Sequence, residues 1–417
     1  MSKHATLIKP PKSLGHHSPI ESVLSLLPLS DIGPDIYTNA RPLWHPPGAR
    51  GIYGGAAIAQ CLSAAQSTVP TNYTVHSMHC YFVLAGNSEI PILYHVERVR
   101  DGKSFITRTV QARQRGKPIF TTTISFQRTD AAGGVTVDHH LKPPPNVPVP
   151  DEGDQAAFQT QWLSRVTGSG ETNPALGRPF ESVKVGITPR GSAPPETRRI
   201  VQWIRCRGRI SDCPQNVRAE EEATQQRLFK QEEGNHQAHL SALAYMSDSW
   251  FIGTVARVQR LQRFSDKERR QAMLASFKGS KEELEEMKQV MEENAKEEEE
   301  ERRTDYPGSS SSQSQTDDGP QVGAASPPVG AQGHRIGMMV SLDHTIYFHN
   351  PRAFRADEWL LTEMDSPWAG DARGLVQQRI WTKDGVLVAT CYQEGVVRLD
   401  QGDGRATRSS GVKENKL

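Results

Sequence analysis

Aromatic residues make up only 7% of this 417-residue chain and hydrophobic residues 36%. Averages that low describe a mixture, in which polar stretches dilute segments individually rich enough to build a core. Cysteine is scarce: the five, at 61, 80, 206, 213 and 391, are odd in number and form no CxxC pair. That pattern argues against a disulfide scaffold and a zinc knuckle, and points to reduced thiols in an intracellular protein. No apolar run reaches the roughly 18 residues that a membrane-spanning helix needs. The start of the chain, with Lys3, Lys9, Pro10, Pro11 and Lys12, has no apolar core of the signal-peptide kind. Charge of one sign is missing too, since 49 Lys and Arg against 48 Asp and Glu leave +1, and a chain so balanced gives no general reason to expect nucleic acid as a partner.

Two catalytic signatures are absent as well. A serine-nucleophile esterase needs GxSxG at a strand-to-helix turn, and none occurs. With neither HExxH nor paired cysteines, the alternating His76 and His79 read as hydrogen-bonding residues rather than metal ligands; no metal and no cofactor is expected.

What is present is organised in blocks. The length exceeds the usual 100 to 200 residues per domain, which suggests two domains or a duplicated unit with insertions. A polar segment at 1–21, read as disordered, precedes patterned sequence at 22–130. A connection at 131–198 contains KPPPNVPVP (142–150) and reads as an interdomain linker. Patterned sequence resumes over 199–400, interrupted at 264–334, and 401–417 reads as a flexible tail. The interruption opens with KEELEEMKQVMEENAKEEEEERR and continues through SSSSQSQTDDGP; it reads as a solvated, partly helical insertion, with a partner-binding arm as the functional alternative.

Strand signals are clearest at 74–83, 104–128 and 374–398. The last two look alike, each with two β-branched runs around a turn containing Gly116 or Asp384-Gly385, and each second run ending in an aromatic and a glutamine, Phe126-Gln127 and Tyr392-Gln393. Upstream of each lies one apolar helix candidate, GGAAIAQCLSAAQ (54–66) and HQAHLSALAYMSDSWF (236–251). A helix followed by strands, twice, predicts an internal duplication in which each sheet wraps its own buried helix.

That α+β arrangement is the hot-dog fold, an antiparallel sheet around a central helix. The segments RGIYGGAAIAQCLSAA, VHSMHCYFVLAG and PILYHVERVRDGKSFITRTVQARQRGKPIFTTTISFQ resemble the first half of the acyl-CoA thioesterase II family, which includes peroxisomal members. LSALAYMSD, MVSLDHTIYFH, RADEWLLTEMDSPWAGDARGLVQQRIW and DGVLVATCYQEGVVR resemble its second hot-dog repeat, in the right order. The resemblance implies two tandem repeats, with the charged insertion looped out of the second, and hydrolysis of fatty acyl-CoA to fatty acid and coenzyme A. It also implies a water attacking the thioester without a covalent acyl-enzyme, positioned by an aspartate, a hydroxyl residue and a glutamine. Those three map onto Asp248, Ser341 and Gln393. Further association into a homo-oligomer is expected from the family. The GDxNPxH-like motif of a hot-dog hydratase is absent. A non-catalytic acyl-CoA sensor or scaffold on the same fold is the alternative reading.

Thioester hydrolysis needs a water in line with the carbonyl, a proton acceptor, and donors facing the oxygen that becomes negative. Asp248 supplies the acceptor, while Ser341 and Gln393 orient water or stabilise the oxyanion. The neighbours Asp343 and His344 form a competing acid–imidazole pair, or else a structural one. Gly51, Gly54 and Gly55 either let helix N–H groups approach an acyl or phosphate group or only permit tight packing. Arg98, Arg100, Lys103 and Arg108 are a basic cluster that meets coenzyme A phosphates or stays solvated at a strand edge; of these, Arg98 and Arg108 join Gly54 and Gly55 as the substrate-binding candidates. The final Asn415-Lys416-Leu417 is a variant of the SKL address read by a peroxisomal import receptor; it points to the peroxisomal matrix, with the cytoplasm as the alternative.

Overall fold

A computed structural model describes residues 6–8, 18–43, 51–129, 137–151, 153, 179–189, 193–212, 235–249, 251–263, 266–277, part of 281–299, and 334–400. Asn415, Lys416 and Leu417 lie outside these residues, as does Cys213. Among the described residues, a single 13-stranded sheet holds the molecule together. In the first half its strands are β1 (Leu26–Pro28), β2 (Ile36–Asn39), β3 (Tyr73–Phe82), β4 (Leu93–Asp101), β5 (Phe105–Gln114) and β6 (Lys117–Arg128). The second half supplies β7 (Phe180–Thr188), β8 (Arg199–Cys206), β9 (Ile336–Ser341), β10 (Asp343–Phe348), β11 (Leu360–Gly370), β12 (Arg373–Thr382) and β13 (Leu387–Leu399).

The spatial order is β1-β2-β4-β5-β6-β3-β10-β13-β12-β11-β8-β7, with β9 paired to β13. Read from either edge inward, each half runs hairpin partner, flanking strand, three-strand meander and seam strand. The duplication expected from the sequence is therefore present, but the two sheets are one, joined where β3 and β10 pair antiparallel from Asp343–Tyr81 to Tyr347–Ser77.

Two helices fill the concave side. Helix α1 (Pro19–Leu24) is short; α2 (Gly54–Gln66) and α3 (His236–Ser247) are the central pair, and α4 (Gly253–Val258) follows closely. The expected helix at 54–66 is found there, whereas the one expected over 236–251 stops at Ser247 because Asp248 caps it and the chain turns into α4. Helix α2 is buried all round, and its alanines at 56, 57, 59, 64 and 65 suit a helix enclosed on every side. The helices run antiparallel against each other: Tyr53 Oη donates to Tyr245 O at one end (3.0 Å), and Gln66 Nε2 to Gln237 O at the other (3.4 Å). Midway, Ser63 Oγ bonds Ser241 Oγ (3.1 Å), which donates to Gln66 Oε1 (3.0 Å), so the buried hydroxyls and amide carry the partners that burial demands. Alternation does the rest: Ile106, Val110 and Ala112 of β5 and Val376 and Ile380 of β12 point into this core.

Two segments differ from expectation. Phe180–Thr188 lies within the stretch read as linker, yet it is strand β7 and pairs with β8 along its length; it occupies the place in the second half that β1 holds in the first. The Pro-rich part at 142–150 is not a free spacer either. Trp381, Trp203 and Trp359 donate their indole N–H groups to Leu141 O (2.9 Å), Pro148 O (2.9 Å) and Asp151 O (3.3 Å), which pins the segment across the convex face of the second half. Prolines lack N–H groups but keep carbonyls, so the strap accepts these bonds. In the charged insertion the described residues between 281 and 299 are helical, and Met287, Met291, Asn294 and Glu298 are buried along one face. Their spacing matches one helical stripe, and Glu298 accepts the backbone N–H of Arg263 (3.2 Å); this part of the insertion rests on the body instead of being wholly solvated.

Candidate active site

Asp248 is the C-cap of α3 and faces the start of the antiparallel α2. A carboxylate there is disfavoured by the dipole of its own helix and favoured by that of α2. The approach is close: a Cβ on Gly54 would lie 2.7 Å from Asp248 Oδ2, and one on Gly55 would lie 2.3 Å from Tyr245 O. Gly55 is thus required by packing against backbone, Gly54 lies against side chains alone, and the Gly55 N–H also bonds the Asp248 carboxylate. Of the two readings left open for these glycines, the structure shows the tight packing, and the N–H at the start of α2 meets the Asp248 carboxylate. Burial raises the Asp248 pKa to about 6, even though the bonds from Gln393 and Gly55 oppose the shift.

Gln393 sits on β13 with its side chain fully buried. Its Nε2 donates to Asp248 Oδ1 (2.8 Å) and to His344 Nδ1 (3.1 Å). The rest of the chain of bonds fixes the imidazole tautomer. Ser247 Oγ spends its only hydrogen on Ala244 O (2.9 Å), so it accepts from His344 Nε2 (2.9 Å), and Nδ1 is left as the acceptor for Gln393. Burial pushes the His344 pKa down to about 3, so this ring is neutral at physiological pH and is no proton acceptor there. With both amide hydrogens used, Gln393 Oε1 is left buried without a hydrogen-bond partner among the described residues, an arrangement that costs free energy unless something fills it.

Asp343 and His344 do not form the competing acid–imidazole pair. Adjacent strand residues face opposite ways, and Asp343 Oδ1 accepts the Glu394 N–H (2.7 Å) while His344 joins Gln393. Ser341 ends β9 opposite Gly395, which places it on the sheet face that Gln393 shares, one diagonal step away. No side-chain hydrogen bond ties Ser341 to Asp248 or Gln393 among the described residues. Gly395 itself has no room for a Cβ, which would meet Ile252 at 2.5 Å, so the turn before α4 closes directly over this part of β13.

The structure brings together Asp248, Gln393, Gly54 and Gly55, and sets Ser341 beside them. It does not bring in the two arginines. Arg108 is fully buried and its guanidinium is saturated by Thr68 Oγ1 (2.9 Å), Thr68 O, Arg100 O, Thr107 O and Asp101; it ties the C-terminal end of α2 to β4 and β5 and has no donor left for a phosphate. Arg98 pairs with Asp35 through Nε (2.6 Å) and Nη2 (3.0 Å), on strands separated from the seam by β5 and β6. His76 and His79 bond Ser125 Oγ (2.8 Å) and Thr345 Oγ1 (3.3 Å). Sequence reasoning missed the roles of His344 and Ser247; the only signal was that His344 and Gln393 both fall on inward-facing strand positions.

A sheet read alike from both edges, wrapped around two antiparallel helices with a carboxylate–amide pair at their junction, is the double hot-dog architecture. Residues 41–127 match the model of the acyl-CoA thioesterase N-terminal domain and residues 209–397 that of the acyl-CoA thioesterase C-terminal domain. Acyl-coenzyme A thioesterase 8 of Homo sapiens is 31% identical over 387 residues, spanning 91% of this chain and 89% of its own length. The peroxisomal acyl-coenzyme A thioester hydrolase 1 of Saccharomyces cerevisiae is 38% identical over 109 residues, 26% of this chain and 30% of that one. Among solved structures, an acyl-CoA thioesterase II from Mycobacterium marinum superposes with a TM-score of 0.52 at 26% identity, covering 92% of this chain and 98% of that one. The chain belongs to the acyl-CoA thioesterase II family.

Proposed function

We propose that the chain hydrolyses fatty acyl-CoA thioesters at the junction of α2 and α3, with water as the nucleophile and Asp248, Ser341 and Gln393 as the catalytic residues. The single observation that carries this reading is the Gln393 amide: it spends both donors on Asp248 and His344 and presents its one free atom, an acceptor, beside a carboxylate. Two acceptors side by side suit a water molecule, which donates one hydrogen to each. Asp248 takes the proton as the water oxygen bonds to the thioester carbon, the carbon–sulfur bond breaks, and the proton passes to the departing thiolate. Ser341 and the positive end of α2 supply the donors for the carbonyl oxygen. Since Gln393 has no free donor, orienting water is its part, rather than binding the oxyanion.

Thiol release from short, medium and long acyl-CoAs tests the reading. Wild type should turn over at least one of them, and folded Ser341→Ala and Gln393→Ala proteins should be slowed by about 10² to 10³. Folded wild type that binds acyl-CoA yet frees no thiol would instead support a sensor or scaffold.

The name of the Saccharomyces cerevisiae relative supports peroxisomal residence, with Asn415-Lys416-Leu417 as the candidate address for an import receptor. A fluorescent fusion at the N-terminus of the full chain should co-localise with a peroxisomal marker and disperse when residues 415–417 are removed; a cytosolic signal from both forms overturns this.

A further inference from the structure

Ser247 and Asp248 are neighbours at the end of α3, and the hydrogen bonds that leave them meet again. Ser247 Oγ accepts from His344 Nε2, Nδ1 of the same imidazole accepts from Gln393 Nε2, and that Nε2 also donates to Asp248 Oδ1. The four side chains thus close a circuit that starts and ends on adjacent residues of one helix. Its direction is set from outside, because the Ser247 hydroxyl donates to Ala244 O (2.9 Å). The Cys391 thiol also lies against Ser247, and burial pushes its pKa up; its hydrogen suits the remaining lone pair of Oγ and leaves this order unchanged. Ser247 and His344 are both fully buried, and Phe251 packs edge-on against the imidazole with ring centroids 5.4 Å apart.

An amide presents N–H on one side and oxygen on the other, and half a turn about its last bond exchanges them with little change of shape. The neighbours therefore decide which atom faces the water. While Asp248 is a carboxylate it accepts only N–H, and it holds the amide by itself. Once it has taken the proton from water, its acid hydrogen is as good a partner for Oε1 as its oxygen is for Nε2, and that hold is gone. His344 supplies a hold that does not change with the proton. Burial keeps its imidazole neutral, and with the hydrogen on Nε2 committed to Ser247, the lone pair of Nδ1 accepts N–H and repels Oε1. An amide turned the other way would withdraw the acceptor from the water. It would also bond the acid form of Asp248, which would then give its proton to the departing thiolate less readily.

We propose that Ser247 and His344 are positioning residues for thioester hydrolysis, which keep the Gln393 amide in one orientation while Asp248 gains and loses the proton. Neither touches the reacting atoms; each acts through its neighbour in the circuit. This role rests on the reading of Asp248 and Gln393 as the groups that handle water.

The test compares Ser247→Ala, His344→Leu and His344→Asn with wild type in the full chain. Ser247→Ala takes away the acceptor for Nε2, His344→Leu takes away Nδ1, and His344→Asn returns an acceptor oxygen near the place of Nδ1. In nitrogen NMR of the histidine-labelled protein at neutral pH, the signals that vanish in His344→Leu should show hydrogen on Nε2 and none on Nδ1 in wild type, and that form should be lost in Ser247→Ala. Folded Ser247→Ala and His344→Leu proteins should lose about tenfold or more in kcat for acyl-CoA with KM within about twofold of wild type, and His344→Asn should recover part of the loss. The proposal is overturned by a wild-type imidazole that carries hydrogen on Nδ1, by wild-type kcat in Ser247→Ala and His344→Leu, by a loss seen in KM instead of kcat, or by a His344→Asn protein no faster than His344→Leu. If His344→Leu does not fold, the tautomer and the kcat of Ser247→Ala decide. Failure of the underlying reading looks different, since Asp248→Asn and Gln393→Ala would then turn over at near-normal rates.

Discussion

Gln393 holds Asp248 by one N–H···O bond of 2.8 Å and is itself held by His344, whose Nδ1 accepts its other amide hydrogen at 3.1 Å. Ser247 closes the chain of bonds and fixes the ring tautomer. The aspartate comes from a helix end, and the amide and its imidazole partner from a strand pair, so orientation of the carboxylate depends on the register of β10 against β13 as well as on its own rotamer.

Loss of that amide should act on the rate and on the pH profile together. Gln393→Ala removes both the water acceptor and a bond that lowers the Asp248 pKa, so kcat should fall by about 10² to 10³ and the acidic midpoint of the profile should move above the wild-type position near 6. An unshifted midpoint in the residual activity would show that the amide does not reach Asp248 in solution.

Stability gives a second handle. The Asp248 pKa is raised from 3.8 in the unfolded reference to about 6, so protonation favours the folded state, fully below about pH 4, and this contribution is lost as the pH rises through 6. Asp248→Asn removes the buried charge. Relative to wild type, its melting temperature should rise between pH 4 and pH 8, the gain levelling off above about 7; a difference constant with pH would contradict the raised pKa.

The two glycines should behave differently. Gly55→Ala places a methyl on the Tyr245 carbonyl, 2.3 Å away, where the obstacle is backbone that cannot yield cheaply, and unfolding by denaturant should show a loss of several kcal/mol. Gly54→Ala meets the tips of Asp248 and Phe82 at 2.7 and 2.8 Å, side chains that can swing aside. It should stay folded and lose at least tenfold in kcat.

Asp343 is the control for the proposed role of Asp248 as proton acceptor. Its carboxylate accepts one backbone N–H at 2.7 Å, a role an amide oxygen keeps, so Asp343→Asn should lower thiol release by less than tenfold and Asp248→Asn by far more. Equal losses would restore the Asp343–His344 pair as a contender.

The helices at 54 and 236 and the paired hairpins were legible because apolar periodicity and the turn glycines are local signals. Resemblance then reached Asp248 and Gln393. Strand β7 was not legible: Glu-Ser-Val-Lys-Val-Gly has few apolar residues and lies beyond a Pro-rich stretch, and it is a strand because β8 offers it an edge. Arg108 misled for a related reason. On β5 it falls at an inward position where an arginine is unexpected, and only the Thr68 carbonyl and hydroxyl at the end of α2 explain its burial. The tautomer of His344 depends on Ser247, 97 residues away, a relation no spacing announces.

The pH dependence of kcat/KM for acyl-CoA hydrolysis, measured for wild type and Asp248→Asn, bears most directly on Asp248 as the group that activates water. Wild type should lose activity on the acidic side through one group near pH 6, and the variant should be slower by about 10² to 10⁴ and lack that limb. A wild-type profile flat between pH 4.5 and 8, or a folded variant with near-normal turnover, would contradict it.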